Sequence, residues 1–208
     1  VCIMDRKIYQ KLLVWKEKNS KMPYMLVGAR QTGKTYILTN FCKNEFKNYL
    51  YLNLDSMPEI KEIFETTIEP ERIIKSIEAI LSINIDIENT IIFIDEIQVS
   101  EKAICSLKYF CESESNYKIV VAGSLLGVKI NRFKSSFPVG KVWIDYLYPM
   151  DYEEFLLAIN ENKLLELIKA QDRQAENVDD TTGYCNKIIP YQSECMKYAM
   201  LCLLDKYQ

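Results

Sequence analysis

Two short stretches hold residues whose types and spacing could do chemistry. Gly28-Ala29-Arg30-Gln31-Thr32-Gly33-Lys34-Thr35 fits the pattern G-x-x-x-x-G-K-[ST]. Glycines at its two ends let the backbone turn its N–H groups inward, and such a cradle binds phosphate oxygens. A helix opening at Lys34 would bring its positive dipole end to the same place. Lys34 is then placed to reach β- and γ-phosphates, and the Thr35 hydroxyl to hold Mg²⁺. The second stretch, Ile91-Ile92-Phe93-Ile94-Asp95-Glu96, is an apolar run closed by two adjacent acids. Asp95 could hold Mg²⁺ through water, while Glu96 could orient and deprotonate a water for attack on the γ-phosphate. Each stretch alone has a plainer reading, a glycine turn or a solvated acidic turn. In this order, and with the flanks described next, they point to hydrolysis of a nucleoside triphosphate.

The chemistry requires the loop between a strand and a helix, and the acids at the end of a buried strand. The flanks comply. Pro23-Tyr24-Met25-Leu26-Val27 is a short run of strand type, and Tyr36 to Cys42 can continue a helix. Thr90 to Ile94 is apolar without alternation, as in a parallel strand covered on both faces. In a parallel sheet ligands sit beyond the carboxyl ends of the strands, which brings Asp95 and Glu96 near the loop.

Further strands are expected over Asn48–Leu54, Tyr117–Ala122 and Val142–Leu147. Helical spacing marks residues 6–19, Pro58–Ser82 (divided at Pro70) and Ala103–Cys111. Leu125 to Gly140 reads as a short helix or loop. Asp151, with Glu154 three residues on, reads as a capping box opening a helix whose apolar side runs to Ile168. Residues 171–187 read as an exposed loop and Tyr191–Tyr207 as a last helix. Strands alternating with helices give an α/β fold, a mostly parallel sheet flanked by helices, with a C-terminal helical extension. The expected organisation is an N-terminal helix (1–20), a nucleotide-binding core (21–150) and a helical lid or linker (151–208).

The bulk composition bounds the rest. A chain of 208 residues, 49% apolar and 26% charged, can bury one substantial core. The net charge of −3 argues against a generally basic protein. Histidine is absent, which removes histidine bases and histidine-ligated zinc. Seven cysteines without a C-x-x-C pair read as reduced thiols of a cytoplasmic protein. No apolar run approaches the roughly 20 residues of a membrane span.

Other candidates are weaker. Ser124 closes the strand after the acids, where its hydroxyl could bond the attacking water or the γ-phosphate, or serve a turn. Arg132 and Lys141 are candidate cations for a neighbouring subunit's γ-phosphate, or surface charges. The first helix has a basic face of Arg6, Lys7, Lys11, Lys16, Lys18 and Lys21, read as solvated ahead of a nucleic-acid contact. No N-K-x-D or T-K-x-D sequence is present to read guanine.

The motifs above are followed by Ala122-Gly123-Ser124, by Phe137-Pro138-Val139-Gly140-Lys141-Val142 and by Tyr148-Pro149-Met150-Asp151-Tyr152-Glu153-Glu154-Phe155-Leu156. With Phe93-Ile94-Asp95-Glu96-Ile97-Gln98, this series resembles the AAA+ ATPases of bacteria and archaea that carry a C-terminal nuclease-like domain of unknown function. The resemblance spans about residues 6–168. It implies a five-stranded AAA+ sheet, ATP and Mg²⁺ as ligands, Lys34 and Thr35 as Walker A residues, and Asp95 and Glu96 as Walker B residues. Ser124 stands at the sensor-one position. Gly140-Lys141 departs from the Gly-Arg of many members, which puts a trans-acting arginine there in doubt. The sequence also ends at Gln208, ahead of the expected glycine-rich turn and C-terminal domain, so a truncated chain and a reduced member are both open.

The function expected is Mg-dependent ATP hydrolysis, with catalysis by Lys34, Glu96 and Ser124, coupled to a protein client or DNA, in a homo-oligomer and without a membrane. The alternative is a nucleotide-binding scaffold with little turnover that recruits other proteins. A small-molecule kinase is a third reading, disfavoured because its acceptor would need the place that Glu96 occupies.

Overall fold

The computed structural model describes residues 6–124, 138 and 140–175, with backbone only at 167 and 170–175. The chain divides into two compact units that meet between Pro149 and Met150 in sequence. In the first, helix α1 (Lys7–Glu17) precedes β1 (Tyr24–Gly28), α2 (Lys34–Glu45) and β2 (Asn48–Asn53). Helices α3 (Pro58–Thr66) and α4 (Pro70–Leu81) lead to β3 (Thr90–Asp95) and a 3-10 turn at Ile97–Val99. Helix α5 (Glu101–Glu112), β4 (Lys118–Ser124) and β5 (Trp143–Leu147) follow.

The five strands form one sheet in the order β2-β3-β4-β1-β5, and every pairing is parallel. Side chains alternate between faces along a strand. Tyr24 and Leu26, Ile91 and Phe93, and Val120 and Ala122 therefore pack with Leu12, Trp15, Ile37 and Phe41 of α1 and α2. Their neighbours Met25 and Val27, Ile92 and Ile94, and Ile119 and Val121 pack with α3, α4 and α5. The unbroken apolar runs are explained by this arrangement, because both faces of each central strand are covered.

Trp15 anchors one of the two layers. It is 1% exposed, its indole N–H donates to Met22 O at 2.8 Å, and its ring meets Tyr24 edge-on at 5.7 Å. Trp15→Ala should cost about 3–5 kcal/mol of unfolding free energy, read by urea denaturation. A loss below ~1 kcal/mol would mean α1 contributes little to the core. Cys42 lies in the same layer, and burial pushes its thiol up to about 12, which makes it a packing residue.

Several sequence expectations need correction. Arg6 does not belong to a solvated basic face. It is 6% exposed and donates to Tyr148 O at 2.6 Å. Lys11 pairs with Asp145 at 2.6 Å and Lys16 with Glu45 at 2.8 Å, so that face is partly neutralised within the chain. In the second unit, Asp151 caps α6 (Tyr152–Ala158) through the expected capping box with Glu154. One helix was expected onward to Ile168, but the chain breaks at Asn160 (φ 62°) before α7 (Asn162–Ala175). Glu161 N donates to Leu156 O at 2.9 Å and Asn160 N to Leu157 O at 3.0 Å, a Schellman termination with Asn where glycine is usual. Helix α7 also runs through positions 171–175, expected as loop. The rest of that loop, the last helix and most of Leu125 to Gly140 lie outside the described residues. Among the described residues no helix is long and apolar enough to cross a membrane.

Candidate functional site

The site lies at the carboxyl edge of the sheet, where β1 turns into α2. Gly28 closes β1 beside Leu147 of β5, so tightly that a Cβ there would stand 2.3 Å from Leu147 O. Only glycine fits without parting the two strands. Gly28→Ala should cost about 1–3 kcal/mol and lower the melting temperature, and an unchanged melting temperature would contradict the close approach. Gly33 takes φ 90° as the N-cap of α2, a conformation that glycine adopts without a Cβ penalty. Gln31 is also left-handed, at φ 64°. Between them the loop doubles back onto the helix start, with Thr32 Oγ1 donating to Ala29 O at 3.0 Å. Ala29, Arg30 and Gln31 are exposed.

Lys34 begins α2 and is 8% exposed. Its ammonium donates to Gly28 O at 3.1 Å and Ala29 O at 2.5 Å, which holds it along the inside of the loop. Burial pushes its pKa down, and the nearby charges of Glu96 and Asp95 oppose that shift. The adjacent Thr35 donates from Oγ1 to Asp95 Oδ2 at 2.9 Å, although 60 residues separate the two in sequence. Asp95 ends β3 almost fully buried, and its carboxylate is well bonded. Tyr51 OH of β2 also donates to Oδ2, at 3.0 Å, and the backbone N–H of Glu96 donates to Oδ1 at 2.9 Å. Burial pushes the Tyr51 phenol's pKa up, with the Asp95 charge adding to the shift. The phenol therefore remains a donor to the carboxylate.

Glu96 leaves the strand in a left-handed conformation, φ 54° and ψ 38°. Its Oε2 accepts from Gln98 Nε2, and the same nitrogen donates to Ser124 Oγ at 3.1 Å. Ser124 is 2% exposed at the end of β4. The residues singled out in the sequence are thus brought to one edge: the loop at Gly28–Thr35, Asp95 and Glu96, and Ser124. Lys141 instead pairs with Glu112 at 3.1 Å, both side chains being part-exposed. Arg132 lies outside the described residues.

Three polar partners escaped the sequence reading. Tyr51 looked like one more aromatic of a strand. Gln98 stood inside a motif without a role, although its spacing from Glu96 was a usable signal. Arg6 reaches the loop as well as Tyr148 just after β5, with Nη1 at 3.4 Å from Thr32 O, and nothing in the local pattern separates it from the lysines around it.

A hydroxyl oxygen and a carboxylate oxygen that converge, beside a buried ammonium, suit a hard divalent cation and the phosphates it accompanies. Among the described residues no three cysteine, aspartate or glutamate side chains converge on one point. A cation here would complete its shell with water and phosphate oxygens, as Mg²⁺ commonly does.

A family model described as an AAA domain matches residues 20–156, more than half of the chain. Among solved structures, the chain is similar to a Walker-type ATPase of Pyrococcus abyssi at 19% identity and a TM-score of 0.47, covering 80% of this chain and 63% of that one. It is similar to Pif1 helicase from Bacteroides at 14% identity and a TM-score of 0.42, covering 75% and 45%. It is also similar to Drosophila ORC bound to DNA at 12% identity and a TM-score of 0.46, covering 77% and 47%. The chain spans less than two thirds of the length of each of these structures. No curated protein matches the sequence.

Proposed function

The chain belongs to the AAA domain family of P-loop ATPases, and from that premise we propose that its site binds Mg-ATP and hydrolyses it to ADP and phosphate. The meeting of Thr35 and Asp95 at 2.9 Å, across 60 residues of sequence, carries this reading. It joins the glycine loop to the acid strand, as a site for a metal-bound triphosphate requires.

In this reading the backbone N–H groups of Gly28–Thr35 hold the β- and γ-phosphates and Lys34 turns its ammonium onto them. Thr35, and Asp95 through water, would hold Mg²⁺, which when bound would neutralise charge on the phosphate oxygens. Tyr51 keeps the Asp95 carboxylate facing Thr35. Glu96 takes a proton from the attacking water, and Ser124 supplies a hydroxyl to the water or the γ-phosphate. Tyr51 and Ser124 act by hydrogen bonds, so each should matter less than Lys34 or Glu96.

Phosphate release from Mg-ATP, measured with and without EDTA, tests the proposal. The expected result is ADP and free phosphate in equal amounts, lost on chelation. Transfer of phosphate to an added acceptor would favour a kinase. Tight binding of Mg-ATP without release would favour the scaffold. The partner is a separate question. The first helix gives little support to a DNA client, because Arg6 is buried and Lys11 and Lys16 are ion-paired within the chain. A homo-oligomer would reveal itself as a specific rate that rises with protein concentration.

A further inference from the structure

Strand β3 leaves the sheet earlier than its neighbour. Ile94 and Val121 are the last β3–β4 partners, whereas β4 continues to Ser124 alongside Gly28 of β1. Beyond Val121 no β4 residue is paired with β3, and a side chain bonds the end of β4 instead. The left-handed turn at Glu96 and the 3-10 turn at Ile97–Val99 fold Gln98 back over the end of β4. Gln98 Oε1 accepts from Ser124 N at 3.0 Å, as a strand carbonyl would. Its Nε2 donates to Ser124 Oγ at 3.1 Å and also to Glu96 Oε2.

The orientation of this carboxamide is dictated by its partners. A backbone N–H can only donate and a carboxylate can only accept, so Oε1 must face Ser124 N and Nε2 must face Glu96. The two hydrogens on Nε2 serve the two acceptors together. With Oε2 bonded to Gln98, Oε1 is the Glu96 oxygen left to accept a proton from water. Gln98 is 9% exposed, so these bonds are shielded from competing solvent.

We propose that Gln98 is a positioning residue: it aims the Glu96 carboxylate and couples it to Ser124, so that the two groups facing the attacking water are set by one amide. The proposal rests on the hydrolysis reading above. Gln98 touches no reacting atom in it and acts only through Glu96 and Ser124.

Gln98→Met keeps the length and volume of the side chain and removes all of these bonds. Gln98→Asn keeps the amide but is one methylene shorter, so it cannot span Glu96 and Ser124 together. Both should slow single-turnover ATP hydrolysis on the order of 10- to 100-fold, the cost of a misaimed group. The Kd for Mg-ATP should stay within about twofold, because neither variant touches the phosphate loop. In a Glu96→Gln background the same substitutions should cost clearly less than in the wild type, since one of the two groups they set is already disabled. Wild-type turnover in Gln98→Asn, or an equal loss in both backgrounds, would overturn the proposal and leave Gln98 a packing residue. If wild type itself turns over no faster than Glu96→Gln, the hydrolysis reading fails first and the positioning role falls with it.

Discussion

Glu96→Gln is expected to bind Mg-ATP as the wild type does and to turn it over about 10²- to 10⁴-fold more slowly, the usual contribution of a general base. The substitution is nearly isosteric. An amide oxygen can still accept from Gln98 Nε2, so the turn at Ile97–Val99 has no reason to rearrange. What disappears is the ability to take a proton from water. Binding should survive because the phosphate loop and Asp95 are untouched. The check is an equilibrium titration with a fluorescent ATP analogue, run beside steady-state phosphate release. A variant that loses binding and turnover together would show that Glu96 supports the loop. A variant with wild-type turnover would remove it from the chemistry.

Lys34→Ala should abolish measurable nucleotide binding, a loss of about 10²-fold or more in affinity. Each hydrogen bond to a charged group contributes about 1.5–3 kcal/mol, and 1.4 kcal/mol is a factor of ten, so two phosphate contacts account for that size. Lys34 lies along the inside of the loop, bonded to Gly28 O and Ala29 O, within reach of whatever the loop encloses. Its charge also opposes those of Asp95 and Glu96 nearby. Calorimetric titration with Mg-ATP is the check. Affinity within threefold of wild type would show that the backbone cradle holds the phosphates without the lysine.

Much of this was legible beforehand because the determinants are local. Continuous apolar runs at Tyr24–Val27 and Ile91–Ile94 suit strands covered on both faces, and Pro70 divides two helices where it stands. The loop announces itself through Gly28 and Gly33, whose positions tolerate little else. The parts that escaped depend on conformations or contacts that leave no local trace. Glu96 adopts a left-handed backbone that glutamate seldom signals, and Asn160 one that an asparagine marks only in some places. The first of these turns brings Gln98 to Ser124, and the second ends α6 ahead of its apolar periodicity. Arg6 shares a sequence segment with solvated lysines, yet it is buried by elements more than a hundred residues away, which no spacing rule reaches. Tyr51 bonds Asp95 only because β2 and β3 run parallel in one register.

Whether the site breaks the γ-phosphate bond of ATP with Glu96 as the base is decided by single-turnover phosphate release, with protein in excess of Mg-ATP, for wild type and Glu96→Gln at equal nucleotide occupancy. Release by the wild type and retention of intact ATP by the variant are expected. Equal rates of release from the two proteins would contradict that role of Glu96.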